Sequence, residues 1–165
     1  MITIIVPATS ANIGSGFDEL GLAVKMFATL KVEFSDTYIY EGIEEKYQAD
    51  NLIKEAYEFA CVKEGFNPTP LYISLSSDIP ISRGLGSSSS LIVGGLVAAF
   101  ALHTKTTPKE KILEYATEIE GHPDNVAPAI FGGLIHTPKN DVSHSHILHP
   151  SLHFTFLIPD FELST

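Results

Sequence analysis

Apolar and polar residues alternate along several short segments of the chain, and this period predicts β-strands. The β-branched residues at 2–6 end at Pro7, which predicts a strand closed by a turn. The alternation over residues 22–34 predicts one long strand or two. The same reasoning predicts further strands at residues 71–75, 134–137 and 152–158.

Two longer segments have the pattern of helices. Residues 50–65 begin with capping residue types, end in glycine and place apolar side chains at helical spacing, so they predict an amphipathic helix. Residues 91–102 are apolar on nearly every side, which is typical of a helix buried in a core.

Two shorter helices are predicted after these. Thr107, Pro108 and Glu110 have the spacing of a capping box with proline in the first turn, and they predict a helix that runs to about Glu120. A short helix is predicted from about Pro123, before the strand at 134–137.

The end of the chain carries a separate signal. Residues 139–151 are polar and rich in histidine, as in a surface loop or a domain boundary. The chain finishes on Ser164 and Thr165, residue types that cap helices, with no helix after them. We therefore expect it to be cut from a longer chain, and its mixture of strands and helices predicts an α+β fold.

Composition indicates a globular domain and narrows the classes of partner. The 165 residues are 44% hydrophobic and 18% charged, with a formal net charge of -10 and a single arginine, Arg83. This charge makes a nucleic-acid-binding surface unexpected. Cys61 is the only cysteine, so no internal disulfide can form. The chain has no signal-peptide pattern and its longest apolar run is too short for a bilayer, so we expect a cytoplasmic protein that does not bind membranes.

Residues 80–90, PISRGLGSSSS, combine glycines and serines directly before the predicted buried helix. A helix N-terminus presents unpaired N–H groups and a partial positive charge, and so favours an anion. Gly84 and Gly86 would let a phosphate approach the backbone. The pattern is not a Walker loop, because that motif has lysine and then Ser/Thr after its second glycine, and Ser87 and Ser88 stand there without the lysine. From spacing alone the segment is either a phosphate loop or a capped turn.

Three stretches of the sequence together resemble the GHMP kinase superfamily and, within it, the homoserine kinases. They are VPATSANIGSGFDELGLAV at residues 6–24, PISRGLGSSSS at 80–90 and EGHPDNVAPAIFGGL at 120–134. Their order, their separations and the HPDN form of the third stretch carry the resemblance, which extends over essentially the full chain.

The resemblance implies ATP-dependent phosphorylation of the side-chain hydroxyl of L-homoserine, a step of threonine biosynthesis. It also implies an α+β fold in which residues 1–150 form a GHMP kinase N-terminal domain, like the second domain of ribosomal protein S5. Residues 151–165 would then be the first strand of a ferredoxin-like C-terminal domain, the rest of which is missing from this chain.

The resemblance further implies ligands for ATP and Mg²⁺. The phosphate loop would wrap the triphosphate, and Asn51 would lie near adenine, although a helix cap also explains Asn51. Ser88 would bind Mg²⁺ together with Glu120, with Glu118 as the competing carboxylate. The implied nucleotide-binding residues are Asn51, Pro80, Ser82, Arg83, Gly84, Leu85, Gly86, Ser87, Ser88, Ser89 and Ser90.

The same resemblance places the acceptor L-homoserine on Asn12, Asp18 and His122. Turn chemistry in a glycine-containing loop is the other explanation for Asn12 and Asp18. Asp124 is the implied general base, with a helix cap as its other explanation, and Asn125 would contact the reacting hydroxyl. Phosphoryl transfer depends mostly on positioning and charge neutralisation, so a base would add little.

Two other hypotheses fit the same residues. One is another GHMP small-molecule kinase, such as a mevalonate kinase, although Asp18 and the HPDN form favour homoserine, which carries an ammonium group. The other is a nucleotide-binding domain without transfer activity. In the family, arginines for the homoserine carboxylate come from later in the chain, and Arg83 lies in the phosphate loop. We therefore expect the 165-residue chain alone to have little kinase activity; a homodimer is one option for its assembly.

Overall fold

The computed structural model describes residues 1–138, 144–158 and 160–161. Within these residues it contains one mixed sheet of six strands and four α-helices. In chain order the elements are β1 (Ile2–Ile13), β2 (Gly16–Phe34), β3 (Ile39–Glu41), a 3₁₀ turn (Glu45–Tyr47), α1 (Leu52–Glu64), β4 (Leu71–Ser77), α2 (Ser87–Thr104), α3 (Lys109–Glu120), α4 (Val126–Phe131), β5 (Leu134–His136) and β6 (His144–His146).

The sheet is organised around β2, which has 19 residues and pairs along both of its edges. β1 runs antiparallel along one edge, from Ile2 opposite Val32 to Ile13 opposite Gly16. The other edge is shared, because β5 pairs near the start of β2 and β4 pairs near its end. β3 lies parallel to β4, and β6 lies antiparallel to β5. The predicted α+β class is confirmed.

The helices cover one face of this sheet and enclose the core, with α2 innermost. The alternation along β2 turns Ala28, Leu30 and Val32 inward, and all three are fully buried. α2 contacts β1, β2 and each of the other helices. It is long and apolar enough to cross a bilayer, but 56% of it is buried inside the fold, as in the core helix of a folded domain. The prediction of a buried helix at 91–102 is confirmed, and the helix extends beyond both ends of that range.

The predicted end of the first strand at Pro7 is wrong. β1 continues to Ile13, and its register shifts between Pro7 and Ala8. In the described part of the chain β1 pairs with β2 alone, so it is an edge strand, where proline is tolerated because its missing N–H costs few ladder bonds. β1 and β2 therefore form a hairpin, with its turn at Gly14 and Ser15.

The predicted capping box at Thr107 is also wrong. The helix itself is present as α3, but its N-cap residue is Pro108, which is extended at ψ 95 and makes no side-chain capping bond. The helix therefore starts at Lys109, one residue later than the pattern suggested. The short helix predicted from Pro123 starts at Val126 as α4.

The C-terminal predictions are corrected in two places. Residues 152–158 form no strand, and no strand of the described sheet pairs with them, so their apolar alternation has no partner. Part of the loop predicted at 139–151 is the short strand β6. Residues 139–143 lie outside the described residues, as do Ser164 and Thr165.

His103, near the C-terminal end of α2, packs in an aromatic cluster at the edge of the core. Its ring stacks on Phe66 with 4.8 Å between centroids and meets Phe34 edge-on at 5.2 Å. Its Nε2 lies 3.2 Å from the Tyr57 hydroxyl and 3.8 Å from Cys61 Sγ. Burial lowers the pKa of His103, because the apolar surroundings disfavour the imidazolium. Burial raises the pKa of Cys61 and of Tyr57, so both remain neutral in mild acid.

The lowered pKa of His103 predicts a fold that is sensitive to acid. The unfolded chain takes up this proton near the ordinary histidine pKa of about 6.5, whereas the folded chain needs a lower pH. Because the unfolded state binds more protons in that window, the free energy of unfolding should fall as the pH drops from about 7 to about 5. His103→Phe keeps a ring but cannot titrate, so urea unfolding should show a smaller loss. His153→Phe, at an exposed position, should retain the wild-type loss; the same loss in both variants would contradict the prediction.

Candidate active site

A cleft of about 960 Å³ lies at the N-terminus of α2. Residues from the tip of β1, the 3₁₀ turn, the start of α1 and the loops before α2 and α4 form its walls. The predicted site residues that line it are Asn12, Asn51, Ser82, Arg83, Gly84, Leu85, Gly86, Ser87, Ser88, Ser89, Glu120, His122 and Asn125. The predicted site residues outside its lining are Asp18, Pro80, Ser90 and Asp124.

The loop before α2 takes the backbone form that its glycines predict. Gly86 is the N-cap residue of α2 in a left-handed conformation, with φ 64. A Cβ at Gly86 would lie 2.0 Å from Thr9 Oγ1, so only glycine fits. The first bond within the helix runs from Ser90 N to Gly86 O. The N–H groups of Ser87, Ser88 and Ser89 precede that bond, and these residues line the cleft.

Three of the four serines in the first turn of α2 use their hydroxyls within the protein. Ser88 Oγ donates to Glu120 Oε1 at 3.2 Å, and Ser89 Oγ donates to the same oxygen at 2.7 Å. Ser90 is buried, and its hydroxyl donates to the Ser87 carbonyl at 2.7 Å. Ser88 is the exposed member of the pair that contacts Glu120. The hydroxyl and the carboxylate therefore meet at one point of the cleft wall.

Glu118 and Glu120 point to different parts of the molecule. Glu120 is the last residue of α3 and contacts the N-terminus of α2. Glu118 forms an ion pair with Lys63 Nζ at 2.7 Å on the surface between α1 and α3. Of the two carboxylates, Glu120 alone lines the cleft.

Arg83 reaches from the loop toward the C-terminal segment. Its Nη2 donates to the carbonyl oxygen of Asp160 at 3.0 Å. Its Nη1 is buried and has no hydrogen-bond partner in the described part of the chain. Of the two terminal nitrogens, Nη2 is thus hydrogen-bonded within the described part of the chain and Nη1 is not.

Thr9 connects three parts of the cleft, and sequence reasoning missed it. It is fully buried; its N–H donates to Leu85 O at 3.1 Å and its hydroxyl donates to Asn125 Oδ1 at 2.9 Å. The signal in the sequence was a polar residue at the end of an apolar strand. The register shift at Pro7 breaks the alternation there, so the pattern could not show that Thr9 faces inward.

His122, Asp124 and Asn125 form a compact group in the loop before α4. His122 Nδ1 lies 2.5 Å from Asp124 Oδ1, and the Asn125 N–H donates to the same oxygen at 2.8 Å. The Asp124 side chain is fully buried, whereas the His122 side chain is 43% exposed. The cap explanation for Asp124 is not supported, because Asn125 occupies the N-cap position of α4.

Gly21 of β2 allows this group to lie against the sheet. A Cβ at Gly21 would come within 1.8 Å of the Asp124 carbonyl oxygen. The close approach of the two backbones leaves room for glycine alone. The position of Asp124 therefore depends on a strand about one hundred residues earlier.

The hairpin residues Asn12 and Asp18 are held by turn chemistry. Both have left-handed backbones with φ 58, and the Asp18 N–H donates to Asn12 Oδ1 at 2.9 Å. Both are exposed, but Asn12 alone of the two lines the cleft. The alternative explanation from turn geometry thus accounts for their local structure.

Asn51 is the N-cap residue of α1, as its position in the sequence allowed. Its Oδ1 accepts the Lys54 N–H at 3.1 Å, and its Nδ2 donates to the Tyr47 carbonyl at 3.2 Å. The side chain is buried and its two polar atoms are both used within the protein. Asn51 therefore holds the 3₁₀ turn against α1 at the wall of the cleft.

Comparison with known proteins gives consistent matches. Residues 51–133 match the family described as the GHMP kinases N terminal domain. A homoserine kinase of Clostridium botulinum (strain 657 / Type Ba4) is 46% identical over 170 residues, an alignment that covers 100% of this chain and 57% of the relative. The chain thus spans little more than half the length of the curated relatives that it matches.

Solved structures show the same similarity. A structure from Listeria monocytogenes assigned as a homoserine kinase is 39% identical, with a TM-score of 0.75 over 88% of this chain and 54% of that one. The mevalonate kinase of Methanococcus jannaschii is 19% identical, with a TM-score of 0.70 over 88% and 56% of the two chains. The second match shows a common fold alone.

Gly86→Ala should destabilise the fold more than Gly65→Ala. Both glycines are left-handed, and an alanine in that conformation costs about 1–2 kcal/mol. Gly65 has open space around it, whereas the new Cβ at Gly86 would lie 2.0 Å from Thr9 Oγ1. The repacking should add about 1–3 kcal/mol to the loss of unfolding free energy. Urea unfolding of both variants measures the difference; equal losses would show that the contact with Thr9 is not tight.

Proposed function

The chain belongs to the GHMP kinase family, and on that basis we propose that it is the ATP-binding, N-terminal part of an enzyme that phosphorylates the side-chain hydroxyl of L-homoserine. The observation that carries the proposal is the contact of Ser88 and Ser89 with Glu120 at the N-terminus of α2, on the wall of the cleft. The 46% identity to a homoserine kinase supports the choice of acceptor.

We propose that the triphosphate binds at the N-terminus of α2. Arg83 is the one lysine or arginine among the described residues that line the cleft, so side-chain cations are scarce there. Backbone N–H groups and the positive end of the helix dipole supply the attraction for phosphate that such a chain otherwise lacks. The left-handed Gly86 exposes these groups without a side chain in front of them.

Ser88 and Glu120 fit a magnesium ion. They offer a hydroxyl and a carboxylate oxygen at one point, and Mg²⁺ prefers hard oxygen ligands together with substrate phosphates. We propose that these two residues hold Mg²⁺, whose charge would neutralise the phosphate oxygens during transfer. Glu118 is a poor candidate, because Lys63 already neutralises it at the surface.

We propose that the acceptor binds beside the phosphate loop, between Asn12 and His122, which both line the cleft. Asp18 would bind the ammonium group from the tip of the hairpin. The Asn125 carboxamide would contact the reacting hydroxyl through the second hydrogen of Nδ2, because its Oδ1 already accepts from Thr9 and Nδ2 also donates to Asp124 Oδ1 at 3.4 Å.

The domain organisation and the cellular role of the enzyme are also part of the proposal. We propose that residues 1–150 form the ATP-binding domain and that residues 151–165 begin a ferredoxin-like domain, which would supply arginines for the homoserine carboxylate. The enzyme would act in the cytoplasm, in threonine biosynthesis. Asn51 would support the adenine end of the cleft indirectly, because its hydrogen bonds hold the 3₁₀ turn against the start of α1.

An acceptor screen tests the proposed function. The full-length product of the reading frame should release ADP from ATP and Mg²⁺ with L-homoserine and not with mevalonate. The 165-residue chain should bind MgATP in calorimetry. Its turnover should be at least about 100-fold slower, because the arginines proposed to position the homoserine carboxylate belong to the C-terminal domain. Activity with mevalonate alone would indicate another GHMP kinase, and MgATP binding without any transfer would indicate a non-catalytic nucleotide-binding domain.

Glu120→Gln should impair the use of magnesium. The amide still fits beside Ser88 and Ser89 but lacks the carboxylate charge, so the Mg²⁺ concentration for half-maximal activity should rise about 10–100-fold. Glu118→Gln is the matched control, because it removes an exposed ion pair with Lys63 and should leave activity near wild type. Magnesium titrations of both variants show which carboxylate binds Mg²⁺. A defect in Glu118→Gln alone would reverse the assignment.

A further inference from the structure

Three histidines lie on one face of the antiparallel strand pair β5–β6. His136 of β5 is directly opposite His144 of β6, so their side chains leave the sheet on the same side. His146 follows two residues after His144 on the same strand and therefore shares that face. Ile135, next to His136, is buried on the opposite face. Strand pairing thus gathers three imidazoles on the outer side of the sheet.

The rings are close enough for one small cation to bind between them. The ring centroids of His136 and His146 are 6.2 Å apart. Two imidazoles on one tetrahedral Zn²⁺, with Zn–N distances of about 2.0–2.1 Å, have centroids about 5 Å apart. In the described part of the chain no three such donors already meet at one point. His144 and His146 are exposed, so rotation about their side-chain bonds can close the remaining gap.

Glu19 of β2 orients the first of these rings. Its Oε2 lies 3.3 Å from His136 Nε2. A carboxylate only accepts, so Nε2 carries the hydrogen, and in the neutral imidazole Nδ1 then keeps its lone pair. A carboxylate in this position behind a metal-binding histidine fixes the ring and makes it a better ligand. His136 is therefore arranged to offer Nδ1 to a cation.

The donor atoms select the class of cation. Imidazole nitrogen suits Zn²⁺, Ni²⁺ and Cu²⁺, whereas Mg²⁺ prefers oxygen ligands. Three imidazoles and one water complete a tetrahedral zinc shell. The described lining of the cleft contains none of the three histidines, so this position is separate from the proposed magnesium ligands Ser88 and Glu120.

The strand β6 has little else to hold it in the sheet. It has three residues, all of them exposed, and in the described sheet it pairs with β5 alone. A strand pair that buries so little surface is marginally stable. A cation bound by residues of both strands would favour the paired state, because it binds that state and not the separated one.

We propose that His136, His144 and His146 bind a divalent transition-metal ion of the zinc type, and that this ion fastens β6 to β5. Glu19 is a positioning residue that acts through His136. The formal net charge of -10 adds a general attraction for cations but no selectivity among them. The site involves other residues than the proposed kinase function and stands or falls independently of it.

Calorimetric titration of the chain with Zn²⁺ alone, in a buffer that does not chelate metals, tests the site. The chain should bind one Zn²⁺, and a large excess of Mg²⁺ should leave the affinity unchanged, because Mg²⁺ competes poorly for imidazole. No uptake of zinc would overturn the proposal. So would one Zn²⁺ per two chains, which would place the ligands on two copies.

A matched pair of double variants identifies the ligands. His144→Asn with His146→Asn leaves one imidazole of the three, so the zinc affinity should fall by at least about 100-fold, more than the loss of an outer-shell partner costs. His149→Asn with His153→Asn removes as many exposed histidines outside the strand pair and should bind as the wild type. Equal losses in the two double variants would show only adventitious binding to surface histidines and would refute the site.

Three single variants test the remaining assignments. Glu19→Gln keeps the size of the side chain but removes its charge, and it should weaken zinc binding about 10-fold. His103→Phe removes the ring beside Cys61, and His122→Asn removes the ring that lines the cleft. Both should bind zinc as the wild type does; a loss in either would move the metal to that place and contradict the proposal.

Amide hydrogen exchange tests the effect of the ion on the strand. Zinc should slow exchange at residues 144–146 in the wild type and not in His144→Asn with His146→Asn, because the ion holds β6 in the paired state. Bound zinc without a change of exchange in the wild type would refute the fastening of β6.

Discussion

The cleft depends on the hydrogen bonds of one buried residue, Thr9. Its backbone N–H donates to the carbonyl of Leu85 in the loop before α2, and its hydroxyl donates to Asn125 Oδ1 before α4. Gly86 packs against the same hydroxyl so closely that no side chain fits between them. The three stretches that carry the family resemblance therefore meet at a single residue. Because a buried polar group must be satisfied, these bonds also hold the stretches in one arrangement.

The charge of the chain constrains how it can bind a polyanion. With twice as many acidic as basic residues, it has few cations to offer, and Arg83 already donates to the Asp160 carbonyl. The N-terminus of α2 offers an alternative, since backbone N–H groups and the helix dipole attract phosphate without net positive charge. A carboxylate beside that terminus would repel phosphate on its own. In the proposed function, Glu120 and Ser88 would hold a divalent cation whose charge would offset this repulsion, so the two residues are best understood together.

The choice between Glu118 and Glu120 shows where sequence patterns reach their limit. Successive helical residues turn by about 100°, so these two carboxylates point to nearly opposite sides of α3. The sequence establishes that opposition but not which side faces α2. The packing of α3 between α1 and α2 decided it, placing Glu118 against Lys63 and Glu120 against the serines.

The sequence by itself determined the elements whose signals are local. The capping residues Asn51 and Gly65 mark the two ends of α1. The apolar composition of α2 predicts the core helix, and the glycines before it predict a loop. Tertiary structure decided what depends on distant partners. Pro7 lies within a strand because β1 is at an edge, and residues 152–158 form no strand because none pairs with them. Asp124 lies against β2 because Gly21 leaves room for its backbone. A periodic pattern records which face of an element is apolar, whereas strand pairing and side-chain contacts arise between segments that are far apart in the chain.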